Sequence, residues 1–291
     1  MRNYEKLNIV SFGEHLIKSQ DLDPVYPALT KLFPKRHKSM TEFNKLSRWL
    51  IAYWCFYHCG FASYASELGE GFFWDVLMDA AQNEVPTPMG TRWPRGHERR
   101  HARGSQGIKM VQHLKELYGN QPEFMVTHIC SGAPIYSRVA DLVQKHTLFG
   151  PWISFKICDM IDRVLDKHID FSEAAVFMFK DPVKAALILW RQHYGLPETA
   201  KPKDEGEVIT GVVEHLKKEF RIFLAPPSND RSIGLQEIET ILCKWKSHLN
   251  GHYPLNNDII EISTALKEWA PYSKTAREML EAMPKEMHYV T

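Results

Sequence analysis

Apolar side chains recur with a helical period along almost the whole chain. Between Asn44 and Cys59, the side chains of Leu46, Trp49, Leu50, Tyr53, Trp54, Phe56 and Tyr57 cover nearly every face, which predicts a helix buried all round with Gly60 as its stop. Ser39 and Thr41 precede it as candidate caps. Residues 105–118 place Ile108, Val111, Leu114 and Leu117 on one stripe, an amphipathic helix. Comparable patterns predict helices over 72–82, 123–129, 135–146, 152–165, 182–194, 208–220, 235–248, 257–268 and 273–282. Pro182 suits a first helical turn and Gly195 a stop. Ser63, Ser66 and Glu67 read either as caps of a short helix or as pocket lining. Strand-like alternation is almost absent, so the expected fold class is all-α.

A chain of 291 residues is long enough for one large domain or two that share a surface. Residues 1–43, broken by Pro24, Pro27 and Pro34 and carrying the basic run 31–38, read as an N-terminal extension. Residues 44–196 read as a helical core, with a polar, proline-broken linker at 197–208. Residues 209–291 are expected to complete the same fold. The five cysteines include no C-x-x-C pair, so they read as reduced core residues of a cytoplasmic protein, and no iron–sulfur cluster or zinc ribbon is expected. Neither a signal segment nor a run of 18 apolar residues is found, so no membrane partner is expected. A net charge of +1 argues against a protein that coats nucleic acid non-specifically, but leaves room for a local basic cleft.

Such a cleft has an obvious source. The thirteen residues 92–104 hold five arginines, two histidines and one glutamate, punctuated by Trp93, Pro94, Gly96 and Gly104. Guanidinium forks match phosphate oxygens, so Arg95, Arg99, Arg100 and Arg103 read as an anion site on a shaped loop. The segment 97–101 also satisfies H-E-x-x-H, the pattern of zinc peptidases. That pattern needs a helix, and here both intervening residues are arginines, whose charge opposes a dication. Neither a metal nor any other cofactor is expected.

Residues 148–156 join two predicted helices through Gly150, followed by Trp152 and by Lys156 one turn into the second helix. Such a turn brings backbone N–H groups and a helix N-terminus to a phosphate; by spacing alone it is equally an ordinary helical corner. Gly-Pro-Trp followed by a lysine-bearing helix resembles the helix-hairpin-helix element of DNA glycosylases. Together with the arginine loop, Ile169-Asp170-Phe171, and residues 238–246 with Tyr253 and Asp258 after them, it resembles the glycosylase-related enzymes of bacteriophages that hypermodify thymine. These are the amino acid:DNA transferases and the related α-glutamyl/putrescinyl-thymine pyrophosphorylases.

The resemblance implies an enzyme of the host cytoplasm during phage infection. Its DNA substrate would carry 5-(pyro)phosphoryloxymethyluracil made by a separate upstream kinase, and a free amino acid or polyamine would displace the (pyro)phosphate. The chain has no G-x-x-x-x-G-K-[ST] loop, so it is not expected to be that kinase. Arg95, Arg99, Arg100 and Arg103 would seat the leaving group, and His97 or His101 would protonate it or serve as structural hydrogen-bonders. Gly150, Trp152 and Lys156 would grip DNA. Asp170 is the first candidate base for the amine; Asp159 and Asp162 read as N-terminal-turn or ion-pair carboxylates of the second helix. Glu67, Glu239 and Lys246 are further pocket candidates, with Arg138 as a second option for a donor carboxylate. Trp93, Trp152, Tyr57 and Tyr64 are available to stack an extruded base. The alternatives are a helix-hairpin-helix DNA glycosylase, a zinc peptidase and a non-catalytic DNA-binding module.

Overall fold

The computed structural model describes residue 4 and residues 6–34, 39–173 and 178–288. Among them are fourteen α-helices and no strand; an isolated antiparallel bridge pairs Leu224 with Ser232. The chain is all-α. Lys35, Arg36, His37 and Lys38 of the basic run lie outside the described residues.

One compact unit comprises residues 28–169 and 261–283. It holds α3 (Met40–Phe56), α4 (Cys59–Glu67), α5 (Glu70–Gln82), α6 (Gly104–Tyr118), α7 (Glu123–Cys130), α8 (Tyr136–Gln144), α9 (Pro151–Arg163) and α14 (Lys274–Ala282). The other unit comprises residues 1–27, 170–260 and 284–291. Within it lie α1 (Ile9–Ser19), α10 (Lys180–His193), α11 (Glu205–Glu219) and α12 (Leu235–Leu249). Helices α2 (Val25–Leu32) and α13 (Asn257–Trp269) contribute residues to both. Helices α1 and α2 fall in the stretch where periodicity alone assigned no element.

The all-round apolar helix is α3. Ser39 caps it: its Oγ accepts the Glu42 N–H at 3.2 Å, and the Glu42 carboxylate accepts the Ser39 N–H at 2.7 Å. This reciprocal pairing satisfies two otherwise orphaned donors. Thr41 lies inside the helix. The stop is not Gly60 but Tyr57, which adopts the left-handed conformation at φ 53. Gly60 instead lies within α4, where a Cβ would come within 2.4 Å of Trp269 Cδ1 and 2.7 Å of the Ala265 carbonyl. Glycine is there because α13 passes too close for any side chain.

Trp49 and Trp54 are fully buried in this unit and find partners for their indole N–H groups in Ser63 Oγ (3.0 Å) and Met160 Sδ (3.3 Å). Ser63 and Ser66 bond back to carbonyls of α4 itself (2.8 and 2.7 Å). Glu67 does act as a cap, but of a distant helix: its carboxylate accepts the Thr275 N–H and, at 2.6 Å, the Thr275 hydroxyl in the first turn of α14. In the other unit, Asp21 is buried among Tyr253 Oη (3.1 Å) and the Ile259 N–H (2.9 Å), and burial pushes its carboxyl up to about 6. Lys244 pairs with Asp258 at 2.7 Å beside it.

These contacts set two expectations for stability. Gly60→Ala should destabilise the protein by about 1–3 kcal/mol through overpacking against α13. Gly211→Ala, inside α11 where a Cβ would meet nothing within 4 Å, should stabilise it by about 0.4–1 kcal/mol. Urea unfolding of the two variants checks both signs. His58 supplies the second expectation. Its Nδ1 accepts the Phe61 N–H at 3.1 Å, which only the neutral ring can do, and burial pulls its pKa down to about 4. The unfolded chain therefore takes up this proton first, and stability present above about pH 6.5 should be lost as pH falls through 4. The loss should be at most about 3 kcal/mol. His58→Asn, which keeps an acceptor at the cap, should flatten that part of the stability–pH curve.

Candidate active site

The arginine loop is folded tightly onto α3 and α5. The Arg95 guanidinium donates to the carbonyls of Ala102 and Ala80, the latter at 2.9 Å, and lies over the Phe56 ring. Gly96 donates its N–H to Phe56 O at 2.8 Å, and a Cβ there would strike Tyr57 O at 2.6 Å, so only glycine permits this approach. Trp93 is buried, its indole N–H bonded to Val85 O at 2.7 Å and its ring edge-on to Phe61. Trp93 and Tyr64 both pack with Trp269.

His97, Glu98 and Arg99 form a single 3-10 turn, so His97 and His101 do not share the α-helical face that H-E-x-x-H requires. His97 Nε2 lies 3.2 Å from the Arg100 guanidinium, a donor only, so this nitrogen is an acceptor already engaged with a cation. Among the described residues, no three histidine, cysteine or carboxylate side chains are placed to hold a metal ion. The residues do not fit a zinc centre. Burial and the charges of Arg99 and Arg100 lower the His101 pKa.

Arg99 is the centre of the loop. It is only 2% exposed, and it donates to Cys55 O (3.0 Å), Leu148 O (2.8 Å) and Met110 Sδ (3.1 Å) while lying over the Phe149 ring. Among the described residues it has no carboxylate within ion-pair distance. A buried guanidinium with no counter-charge is costly, and desolvation lowers its basicity. Its bond to Leu148 joins the arginine loop to the segment between α8 and α9.

That segment, residues 145–150, links two helices in contact with each other. Its left-handed residue is Leu148, at φ 65, not Gly150. Gly150 precedes α9 with Pro151 at the first helical position, and no side chain caps the helix. A Cβ on Gly150 would meet nothing within 4 Å, so the backbone is open to an approaching group. A cleft of about 740 Å³ brings the two segments together: it is lined by residues 97–101 on one side and by Gln144, His146 and residues 148–153 on the other. The positive end of the α9 dipole and the Arg99 and Arg100 guanidinium groups thus share one concavity, an arrangement suited to an anion. Trp152, half-buried, forms part of the wall and meets Tyr57 edge-on at 5.0 Å.

The other sequence candidates fall elsewhere. Arg95 and Arg103 do not line the cleft. Lys156 is buried in α9 at 9% exposure. Asp159 pairs with Arg163 at 3.3 Å, as an ion-pair carboxylate, whereas Asp162, in the last turn of α9 and not the first, accepts the Ile169 N–H at 3.0 Å. Arg138 is exposed on α8. Asp170, exposed, belongs to the other unit, as do buried Glu239 and Lys246, which pairs with Asp181 at 3.0 Å. Two cleft residues escaped sequence reasoning, Gln144 and His146. His146 donates from Nδ1 to Val143 O and accepts the Tyr118 hydroxyl at Nε2 (2.6 Å), with burial as the main cause of its lowered pKa. Proximity to the hairpin was the only available signal. Cys55 and Cys59 are buried thiols, each pushed up to about 12.

Residues 17–253 match the amino acid:DNA transferase family. The chain is 47% identical to the glycinyltransferase of Pseudomonas phage PaMx11, over 98% of each chain. It is 25% identical to the putrescinyltransferase of Delftia phage PhiW-14, over 94% of this chain and 82% of that one. With a family match across most of its length and a relative aligned nearly end to end, the chain is an enzyme of the amino acid:DNA transferase family.

Proposed function

We propose that the protein transfers glycine to 5-(pyro)phosphoryloxymethyluracil in DNA, displacing the (pyro)phosphate installed by an upstream kinase. The observation that carries this reading is Arg99, a buried cation on the wall of a cleft, with no counter-ion among the described residues. A departing phosphate supplies the missing negative charge as the carbon–oxygen bond breaks, so the stabilisation grows toward the transition state. Arg100 and the N-terminus of α9 add to it. Trp152 offers a face to a base swung out of the stack, and a volume of about 740 Å³ suits a modified base with its leaving group. Glycine is favoured as donor by the relative at 47% identity, which is a glycinyltransferase. A glycosylase-like helix-hairpin-helix grip through Gly150 belongs to the same proposal, as does action in the cytoplasm of an infected cell. Among the described residues no helix is long and apolar enough to cross a membrane. Arg95 holds the loop in shape rather than the leaving group, and Arg103 lies outside the cleft lining.

Incubating kinase-treated hydroxymethyluracil DNA with single amino acids, then weighing the nucleosides, tests the proposal. The expected product with glycine has lost its phosphate and gained one glycine; a phosphoryl ester left intact with every donor would sink it. Arg100→Ala should lower turnover on the order of 100-fold, about 3 kcal/mol, with DNA affinity within about threefold. Equal losses in affinity and rate would make Arg100 a backbone clamp. Arg99→Ala should lose stability as well as rate, because it orphans the Cys55 and Leu148 carbonyls.

A further inference from the structure

Two arginines and three histidines line the cleft, and among the described residues its wall contains one carboxylate, Glu98. Glu98 is flanked in sequence by His97 and Arg99, with Arg100 next, and it is exposed. Among the described residues it forms no hydrogen bond and no ion pair. In a loop this rich in cations, a carboxylate that pairs with none of them is held back from its natural partners. Its Oε2 lies beside Gly96, next to the C-terminal end of α3, 3.1 Å from where a Gly96 Cβ would be. Its charge also reaches the buried Tyr53 phenol, adding to a rise caused mainly by desolvation. The carboxylate thus sits on the α3 side of the cleft and is open to a ligand.

We propose that Glu98 is a catalytic residue, the base that receives the donor amine and takes its proton. This rests on the transfer reading above. A primary amine arrives as ammonium, which has no lone pair to attack with, and the cationic wall would repel it everywhere but here. Glu98 accepts one proton, leaving a neutral amine. Its lone pair then forms the nitrogen–carbon bond to the exocyclic methylene, the carbon–oxygen bond breaks, and its electron pair leaves with the phosphate toward Arg99 and Arg100. The secondary ammonium formed keeps the remaining protons, and Glu98 returns its proton to solvent. The occupant of this position is therefore a small donor with an unhindered primary amine.

The test is the pH dependence of transfer by Glu98→Gln with saturating glycine. Groups around Glu98 that titrate are His97 and His101 on its own loop, Tyr53 and Tyr57 from α3, and His146 across the cleft, with Arg99 and Arg100 as fixed charges. The lowered pKa values of His101 and His146 and the raised value of Tyr53 keep those three from titrating in the alkaline range. Near pH 7 the variant should be about 100-fold slower than the unaltered enzyme. Its rate should then rise about tenfold per pH unit, following the free amine, and come within a few-fold of the unaltered enzyme near the amine's own pKa. Its melting temperature should stay within about 2 °C, since no hydrogen bond or ion pair is lost. A deficit that is constant with pH, or no deficit, overturns the role of Glu98 while leaving transfer intact. Failure of the unaltered enzyme to transfer glycine at any pH overturns both.

Discussion

The fold around the cleft depends on one guanidinium. Arg99 ties the last turn of α3, through the Cys55 carbonyl, to the α8–α9 connection, through the Leu148 carbonyl, across separations of 44 and 49 residues. Each bond satisfies a main-chain acceptor that would otherwise be stranded in a dry interior. Among the described residues no carboxylate pairs with the same group. On the proposed function, structure and chemistry are coupled: the geometry that buries Arg99 also creates an electrostatic demand that an anion in the cleft would meet. Natural sites often retain such local frustration where function requires it.

Around this bolt the loop is specified by close approach rather than by regular structure. Gly96 lets the chain pass against Tyr57, Arg95 closes the loop on itself, and Trp93 anchors its start in the aromatic core. Of the other charged members, His97, Glu98, Arg99, Arg100 and His101 line the cleft, with Arg99 also holding shape, while Arg92 and Arg103 do not. A run that reads as uniformly basic in sequence is divided by the fold into two sets, one holding shape and one facing outward.

This division explains what was legible in the chain. Helices announced themselves because each buries one stripe or, in α3, its whole circumference, and periodicity reports that directly. The stop of α3 is not legible in the sequence because a left-handed tyrosine is sterically disfavoured, and its ring packing against Tyr53 and Trp152 leaves no local pattern. Gly60 looked like a terminator for the same reason: glycine marks both helix ends and tight helix crossings. The arginine loop and the hairpin were each noticed, but their meeting in one cleft depends on a contact about fifty residues long. His146 and Gln144 had no signature of their own, and neither did the different fates of Arg95 and Arg99. Side chains of one type diverge in role according to whether a carbonyl or solvent happens to face them.

The buried thiols of α3 and α4 acquire a meaning from the chemistry proposed for the cleft. A methylene bearing a good leaving group next to a pyrimidine is an alkylating agent, and a thiolate is among the best nucleophiles a protein owns. Cys55 contributes its carbonyl to Arg99, and Cys59 opens the next helix; both thiols are sealed in apolar surroundings and pushed up to about 12. At neutral pH almost none of either is ionised. On the proposed function, the packing that buries α3 would also shield the enzyme from alkylation at its own sulfur.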